Sequence, residues 1–156
     1  MAVKQVKLQG ERCMKTWNVE YRNSLSAEDF IKLRKTTGWR EIKLQQARRG
    51  IENAAYIVSA VVDGETVGMG RLVSDGGYTA LICDIIVLPE HQGKGIGKTI
   101  VSMIMDYIRN SMEPGESVLV NLMAAKGKEP FYKKFGFIER PNEELGAGMT
   151  QWLTKE

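Results

Sequence analysis

From Tyr56 onward the apolar residues of this chain fall into short, turn-bounded runs: YIVSAVVD, a turn at Asp63-Gly64, TVGMGRLVS, a turn at Asp75-Gly76-Gly77, and YTALICDIIV. Such runs, rich in β-branched residues and separated by Gly and Asp, predict three consecutive antiparallel strands. The period then lengthens, and Ile100, Ile104, Tyr107 and Ile108 share one face of a helix predicted from about Gly97 to Ser111. After Pro114-Gly115, SVLVNLM is the near-continuous apolar run of a strand buried on both faces. It suits a parallel partner beside the strand ending at Val87, joined to it by a right-handed βαβ unit.

Upstream, Thr16 to Tyr21 predicts a short strand, and Ser26-Ala27-Glu28-Asp29 resembles a capping box opening a helix through Phe30, Ile31 and Leu33 that stops near Thr37-Gly38. A second helix is predicted over Glu41 to Asn53, with Trp39 in a connection that could serve as a mobile lip. Downstream, Glu129 to Phe135 predicts a short helix closed by Gly136. Strands are predicted at Phe137 to Arg140 and Met149 to Leu153, on either side of the polar loop PNEELGAG. The sum is an α/β chain: one mixed, mostly antiparallel sheet of about seven strands with helices on both faces.

Length and composition narrow the picture without changing it. With 156 residues the chain predicts one domain over 1–156, and 43% hydrophobic with 26% charged residues fits neither a disordered nor a fibrous protein. The excess of Lys plus Arg over Asp plus Glu, 22 to 19, is spread along the chain, which argues against a nucleic-acid partner. Cys13 and Cys83 form no CxxC or metal-ligand spacing, so no metal and a reducing compartment are expected. Neither MAVKQVKLQGERC nor any later segment has the apolar length of a signal or a membrane span, and the expectation is a soluble, cytoplasmic protein with no membrane partner.

The candidate chemistry lies in Val87-Leu88-Pro89-Glu90-His91-Gln92-Gly93-Lys94-Gly95-Ile96-Gly97-Lys98-Thr99. Glycines at alternate positions between a strand and a helix let backbone N–H groups converge on one point, at the positive end of the helix dipole. A phosphate would sit there. A nucleotide-triphosphatase loop, GxxxxGK[ST], needs one residue more than separates Gly93 from Gly97, and the dinucleotide fingerprint GxGxxG fails because Gly97 comes one position early. Tight packing alone would not call for so many glycines and lysines together.

What remains is Gln/Arg-x-x-Gly-x-Gly/Ala, present as Gln92-Gly93-Lys94-Gly95-Ile96-Gly97. Here the chain resembles the GCN5-related N-acetyltransferase (GNAT) superfamily. The order of elements from about Tyr56 to Phe137 and the segment Pro130-Phe131-Tyr132-Lys133-Lys134-Phe135-Gly136-Phe137 extend the resemblance. It implies a fold in which one parallel strand pair splays at the cofactor site, and an enzyme that transfers the acetyl group of acetyl-CoA to a primary amine. By that resemblance Gly93, Lys94, Gly95, Ile96, Gly97 and Lys98, with Gln92, hold the pyrophosphate of coenzyme A. Ile85, Ile86 and Val87 pair with its pantetheine arm, and one of their amides polarises the thioester carbonyl.

Aminolysis of a thioester needs a neutral amine, a polarised carbonyl and a proton for the departing thiolate. By the same resemblance Tyr132 is the proton donor; the plainer alternative is a core aromatic with a satisfied hydroxyl. Asp84, just before Ile85, could accept the amine's proton or cap a neighbouring group. His91 reads as a solvated turn residue, and Lys94, Lys98, Lys126, Lys128 and Lys133 either meet cofactor phosphates or belong to plain surface. The chain departs from many members at Ala125, where they carry an Asn seven residues before the tyrosine; Asn121, on the buried strand, is not its replacement.

The acceptor is expected to be a small-molecule or peptide amine, with Trp17, Trp39 and the loop Arg140 to Met149, including Glu143 and Glu144, bordering its pocket. A homodimer could form if the C-terminal strands pair across a two-fold axis. The alternative to an enzyme is a non-catalytic acyl-CoA-binding module of the same fold.

Overall fold

The computed structural model describes residues 4–8 and 17–155. The chain forms two compact units, Met1–Asn121 and Leu122–Glu156. In the first, strands β1 (Lys4–Leu8), β2 (Trp17–Arg22), β3 (Tyr56–Val62), β4 (Glu65–Ser74) and β5 (Thr79–Val87) follow one another in space as in sequence, each antiparallel to the last. Strand β6 (Leu119–Leu122) closes the order of a six-stranded sheet beside β5, entering where the Leu119 N–H donates to the Tyr78 carbonyl at 2.6 Å. It lies parallel to β5.

Helices α1 (Ala27–Lys35) and α3 (Ile96–Ser111) take opposite faces of this sheet, and α2 (Leu44–Glu52) packs on α1. α1 begins as its sequence predicts, with the Ser26 hydroxyl accepting from the Asp29 N–H at 3.0 Å. Its apolar stripe, Ala27, Phe30 and Leu33, is buried. α3 buries Ile96, Ile100, Val101, Ile104 and Ile108 on the other face, so β3 between them is buried along nearly its whole length.

One irregularity organises the centre. Met69 pairs with Ile86 and Arg71 with Cys83, so three steps along β5 match two along β4. The extra residue is a β-bulge, and Asp84 takes it up at φ 53°, a left-handed conformation that Asp tolerates better than most residues. Opposite the bulge stands Gly70, where a Cβ would lie 2.4 Å from Ile100 Cγ2 and 2.7 Å from Ile85 Cδ1. The missing side chain lets Ile85 and α3 close over β4. Gly70→Ala should therefore cost about 1–3 kcal/mol by overpacking, measured as a lowered urea midpoint at unchanged m-value.

In the second unit α4 (Glu129–Lys133) is followed by a turn at Gly136, φ 86°. The strands predicted at Phe137 to Arg140 and Met149 to Leu153 are not formed. Ile138 is 70% and Met149 92% exposed, and alternation of apolar and polar residues suits an unpaired extended chain as well as a ladder. Strand β1, in contrast, was not expected; its Val6 and Leu8 alternate with polar residues over too short a run to stand out. Among the described residues the sheet has six strands where about seven were expected.

Candidate functional site

β5 and the start of α3 bring most of the predicted site residues together. After the bulge, Ile86 is buried opposite Met69, and Val87 pairs with Gly68. β6, four residues long and entering at Tyr78, runs beside no more than the first part of the nine-residue β5. The segment Ile85-Ile86-Val87 therefore passes beyond the reach of its parallel neighbour. A bulge is a recurrent way to re-aim a strand beside a functional site.

The chain then turns through a single 3-10 turn, Pro89–His91, into the glycines. The Gln92 side chain fastens the turn, donating from Nε2 to the Val87 carbonyl at 2.9 Å, and Lys94 Nζ reaches back to the Glu90 carbonyl at 2.7 Å. Gly93 at φ 73° and Gly95 at φ 81° take the left-handed conformation that an L side chain resists. Gly95 is the N-cap of α3 and so supplies no capping side chain. Thr99 N–H is the first to bond back, to the Gly95 carbonyl at 3.0 Å. The N–H groups of Ile96, Gly97 and Lys98 therefore precede the first helical hydrogen bonds. No acidic residue occupies the first turn of this 16-residue helix. Three amides, the positive end of the dipole and the absence of a Cβ at Gly97 suit phosphate oxygens.

Asp84 is shared by two arginines from different elements. Arg34 Nη1 on α1 donates to Oδ1 at 2.8 Å; Arg71 on β4 donates to Oδ2 from Nε and Nη2, both at 2.9 Å. The three side chains are 8%, 13% and 19% exposed for Asp84, Arg34 and Arg71. The Phe30 ring lies near both guanidinium groups, 5.7 Å from Arg34 and 5.8 Å from Arg71, and Trp39 stands 5.3 Å from Arg34. Neighbouring Cys83 is largely desolvated, which pushes its thiol up to about 11. It is therefore a thiol and not a nucleophilic thiolate at neutral pH.

Tyr132 belongs to α4 in the second unit, within an aromatic cluster: edge-to-face with Phe131 at 5.0 Å and with Phe137 at 6.3 Å. Burial raises its hydroxyl above the usual tyrosine range, so it carries its proton throughout the neutral range. In the same unit Lys133 Nζ pairs with Glu139 at 2.7 Å. The loop from Arg140 is ordered by its own bonds: Arg140 Nε to the Gly146 carbonyl at 2.7 Å, and Glu144 and Leu145 N–H groups to Asn142 Oδ1 at 3.0 and 2.9 Å. Glu143 and Glu144 stand exposed on it. Cys13 and the Trp17 side chain lie outside the described residues.

The sequence reading missed Arg34 and Arg71 as partners of Asp84. A signal existed, since Arg71 and Asp84 each interrupt an apolar run and a buried charge needs a counter-charge. Among the described residues no cluster of His, Cys, Asp or Glu could hold a metal ion, and no helix is long and apolar enough to cross a membrane.

A family model for the acetyltransferase (GNAT) domain matches residues 21–151. An uncharacterized N-acetyltransferase, ycf52, of Pyropia yezoensis is 30% identical over 115 residues, which cover 71% of this chain and 64% of the relative. The match thus spans just under two thirds of that relative's length. A probable acetyltransferase from meticillin-resistant Staphylococcus aureus superposes with a TM-score of 0.76 at 32% identity, covering 86% of this chain and 99% of its own. An aminoglycoside N-acetyltransferase, AAC(6')-Iy, solved in complex with CoA shares the fold, with a TM-score of 0.64 at 14% identity over 92% of this chain and 99% of that one.

Proposed function

Because this chain belongs to the GNAT acetyltransferase family, we propose that it transfers the acetyl group of acetyl-CoA to a primary amine by direct attack in a ternary complex. The observation that carries this reading is the glycine turn, with its three unpaired amides, placed directly after a bulged strand that outruns its neighbour. Acetyl-CoA supplies the activated acyl group as a thioester. The amides of Ile96, Gly97 and Lys98 would hold its pyrophosphate, with Gln92, Gly93, Lys94 and Gly95 shaping the turn around it.

Ile85, Ile86 and Val87 would offer backbone groups to the pantetheine arm and one N–H to the carbonyl oxygen, stabilising the charge that develops there. The amine nitrogen forms the new C–N bond while the C–S bond breaks; one proton leaves the nitrogen and one reaches the sulfur. Tyr132 is the proposed donor to sulfur, protonated because it is buried. For the proton leaving nitrogen, Asp84 has two roles open to it, acceptor or anchor, and the occupation of both its oxygens by arginines favours the anchor.

The acceptor in this reading is a small-molecule or peptide amine, with no metal required. One catalytic domain over residues 1–156 is part of the same proposal, supported by a family match over residues 21–151. The compartment is a reducing, cytoplasmic one, and a homodimer through the C-terminal segment is part of the same proposal, to be read from sedimentation. Titration with acetyl-CoA, against ATP-Mg and NAD as controls, tests the reading. Saturable binding of acetyl-CoA alone, followed by thiol release with an amine panel, is expected; binding of ATP-Mg without acetyl-CoA would overturn it.

A further inference from the structure

Beside the Arg34–Asp84–Arg71 cluster, the C-terminal end of α1 and the connection to α2 line an open cavity of about 190 Å3. Its charged lining is three cations, Arg34, Lys35 and Arg40, against one carboxylate, Glu41; Trp39 forms an aromatic wall. We propose that this cavity receives an anionic group, a carboxylate or a phosphate, carried by the acceptor amine.

Two observations support this. Two guanidinium groups share one carboxylate, so a cluster largely withdrawn from solvent keeps one net positive charge. Partly buried charge of one sign is costly until an anion neutralises it. Arg34 spends Nη1 on Asp84 and Nη2 on the Arg40 carbonyl at 3.0 Å, yet its Nε–H is shielded and has no hydrogen-bond partner. That buried donor adds to the unbalanced positive charge that an anion at the cavity would offset.

The volume sets the size of the group. Pockets for drug-sized ligands run from about 300 Å3 upward, so this cavity suits an anionic head and a few carbons, not a whole oligosaccharide. Its charge also works against polyamines and other polycations, whose ammonium groups would meet like charge. Arg34 ties the cavity to Asp84, which immediately precedes Ile85 on the strand that would meet the pantetheine arm. The inference rests on the acetyltransferase reading and names its acceptor class.

The test is a thiol-release panel of matched amines: L-phenylalanine against phenethylamine, O-phosphoethanolamine against ethanolamine, and spermidine, with rates referred to the neutral-amine fraction. The anionic member of each pair should have a kcat/KM about tenfold higher, and the two pairs distinguish carboxylate from phosphate. Lys35→Glu, an exposed change that spares the Asp84 cluster, should erase the preference, and Arg34→Gln should do so too if it folds. In a binding arm, inorganic phosphate and acetate are titrated into acetyl-CoA-saturated protein; wild type should be stabilised and Lys35→Glu should not.

Turnover that favours neutral or cationic amines overturns the inference while leaving the acetyltransferase reading intact. So does equal stabilisation of wild type and Lys35→Glu, or none of either. Failure to bind acetyl-CoA overturns the acetyltransferase reading itself, and the inference with it.

Discussion

Replacing Tyr132 by Phe is expected to lower kcat by about 100-fold or more, in the range general acid catalysis contributes, with acetyl-CoA affinity within twofold of wild type. The ring stays in its aromatic cluster, since Phe keeps the edge-to-face contacts with Phe131 and Phe137. Only the proton donor goes. Burial raises the hydroxyl's pKa, so the acid form persists above the usual tyrosine value near 10. The wild-type rate should therefore climb with pH as the acceptor amine deprotonates, and no alkaline fall traceable to Tyr132 should appear below about pH 10. Unchanged kcat in Tyr132→Phe would remove Tyr132 from the mechanism; acetyl-CoA binding with no turnover on any amine in wild type would favour the non-catalytic binding module instead.

The second large effect is on stability. Asp84→Asn leaves two guanidinium groups without the carboxylate between them, and removing one partner from a buried charged network typically costs about 3–5 kcal/mol. Chemical denaturation is expected to show that loss, together with a weaker link between α1 and the β4–β5 hairpin. The same variant separates the two roles of Asp84. An anchor predicts a large fall in stability; a general base predicts near-normal stability with a deep loss of kcat and an altered pH profile. Wild-type stability in Asp84→Asn would defeat the anchor role.

What could be read in advance followed the range of the forces involved. The β3–β4–β5 meander, α3 and the glycine turn depend on local periodicity and turn chemistry, and each appears close to its predicted place: Ser26 caps α1, and α3 begins at Ile96, one residue from the expected Gly97. The turn's conformation was equally legible, because few residues other than glycine enter the left-handed region readily, as Gly93 and Gly95 do here.

The bulge was not legible, since it depends on Gly70, Ile85 and Ile100 meeting across two strands and a helix. Nor was the Arg34–Asp84 pair, whose members lie 50 residues apart. Charge at Arg71 and Asp84 announced that partners must exist without saying which. At the other extreme, Phe137 to Arg140 had the right residues for a strand and lacked the partner that makes one.

The bulge also makes the chain between the Asp75-Gly76-Gly77 turn and Pro89 a spacer of fixed length. Substitutions along it change packing or charge one position at a time. Loss of a single residue at the bulge would let the β4–β5 ladder close in regular register with Ile86 still opposite Met69, but it would take away the extra residue that carries the Asp84 carboxylate to its two arginines. The sheet would survive such a loss, while the tie from α1 to the hairpin would not. Tolerance of insertions and deletions should therefore be sharply uneven along this hairpin: free at Gly76 and Gly77, whose loop is exposed, and absent within a few residues of Asp84.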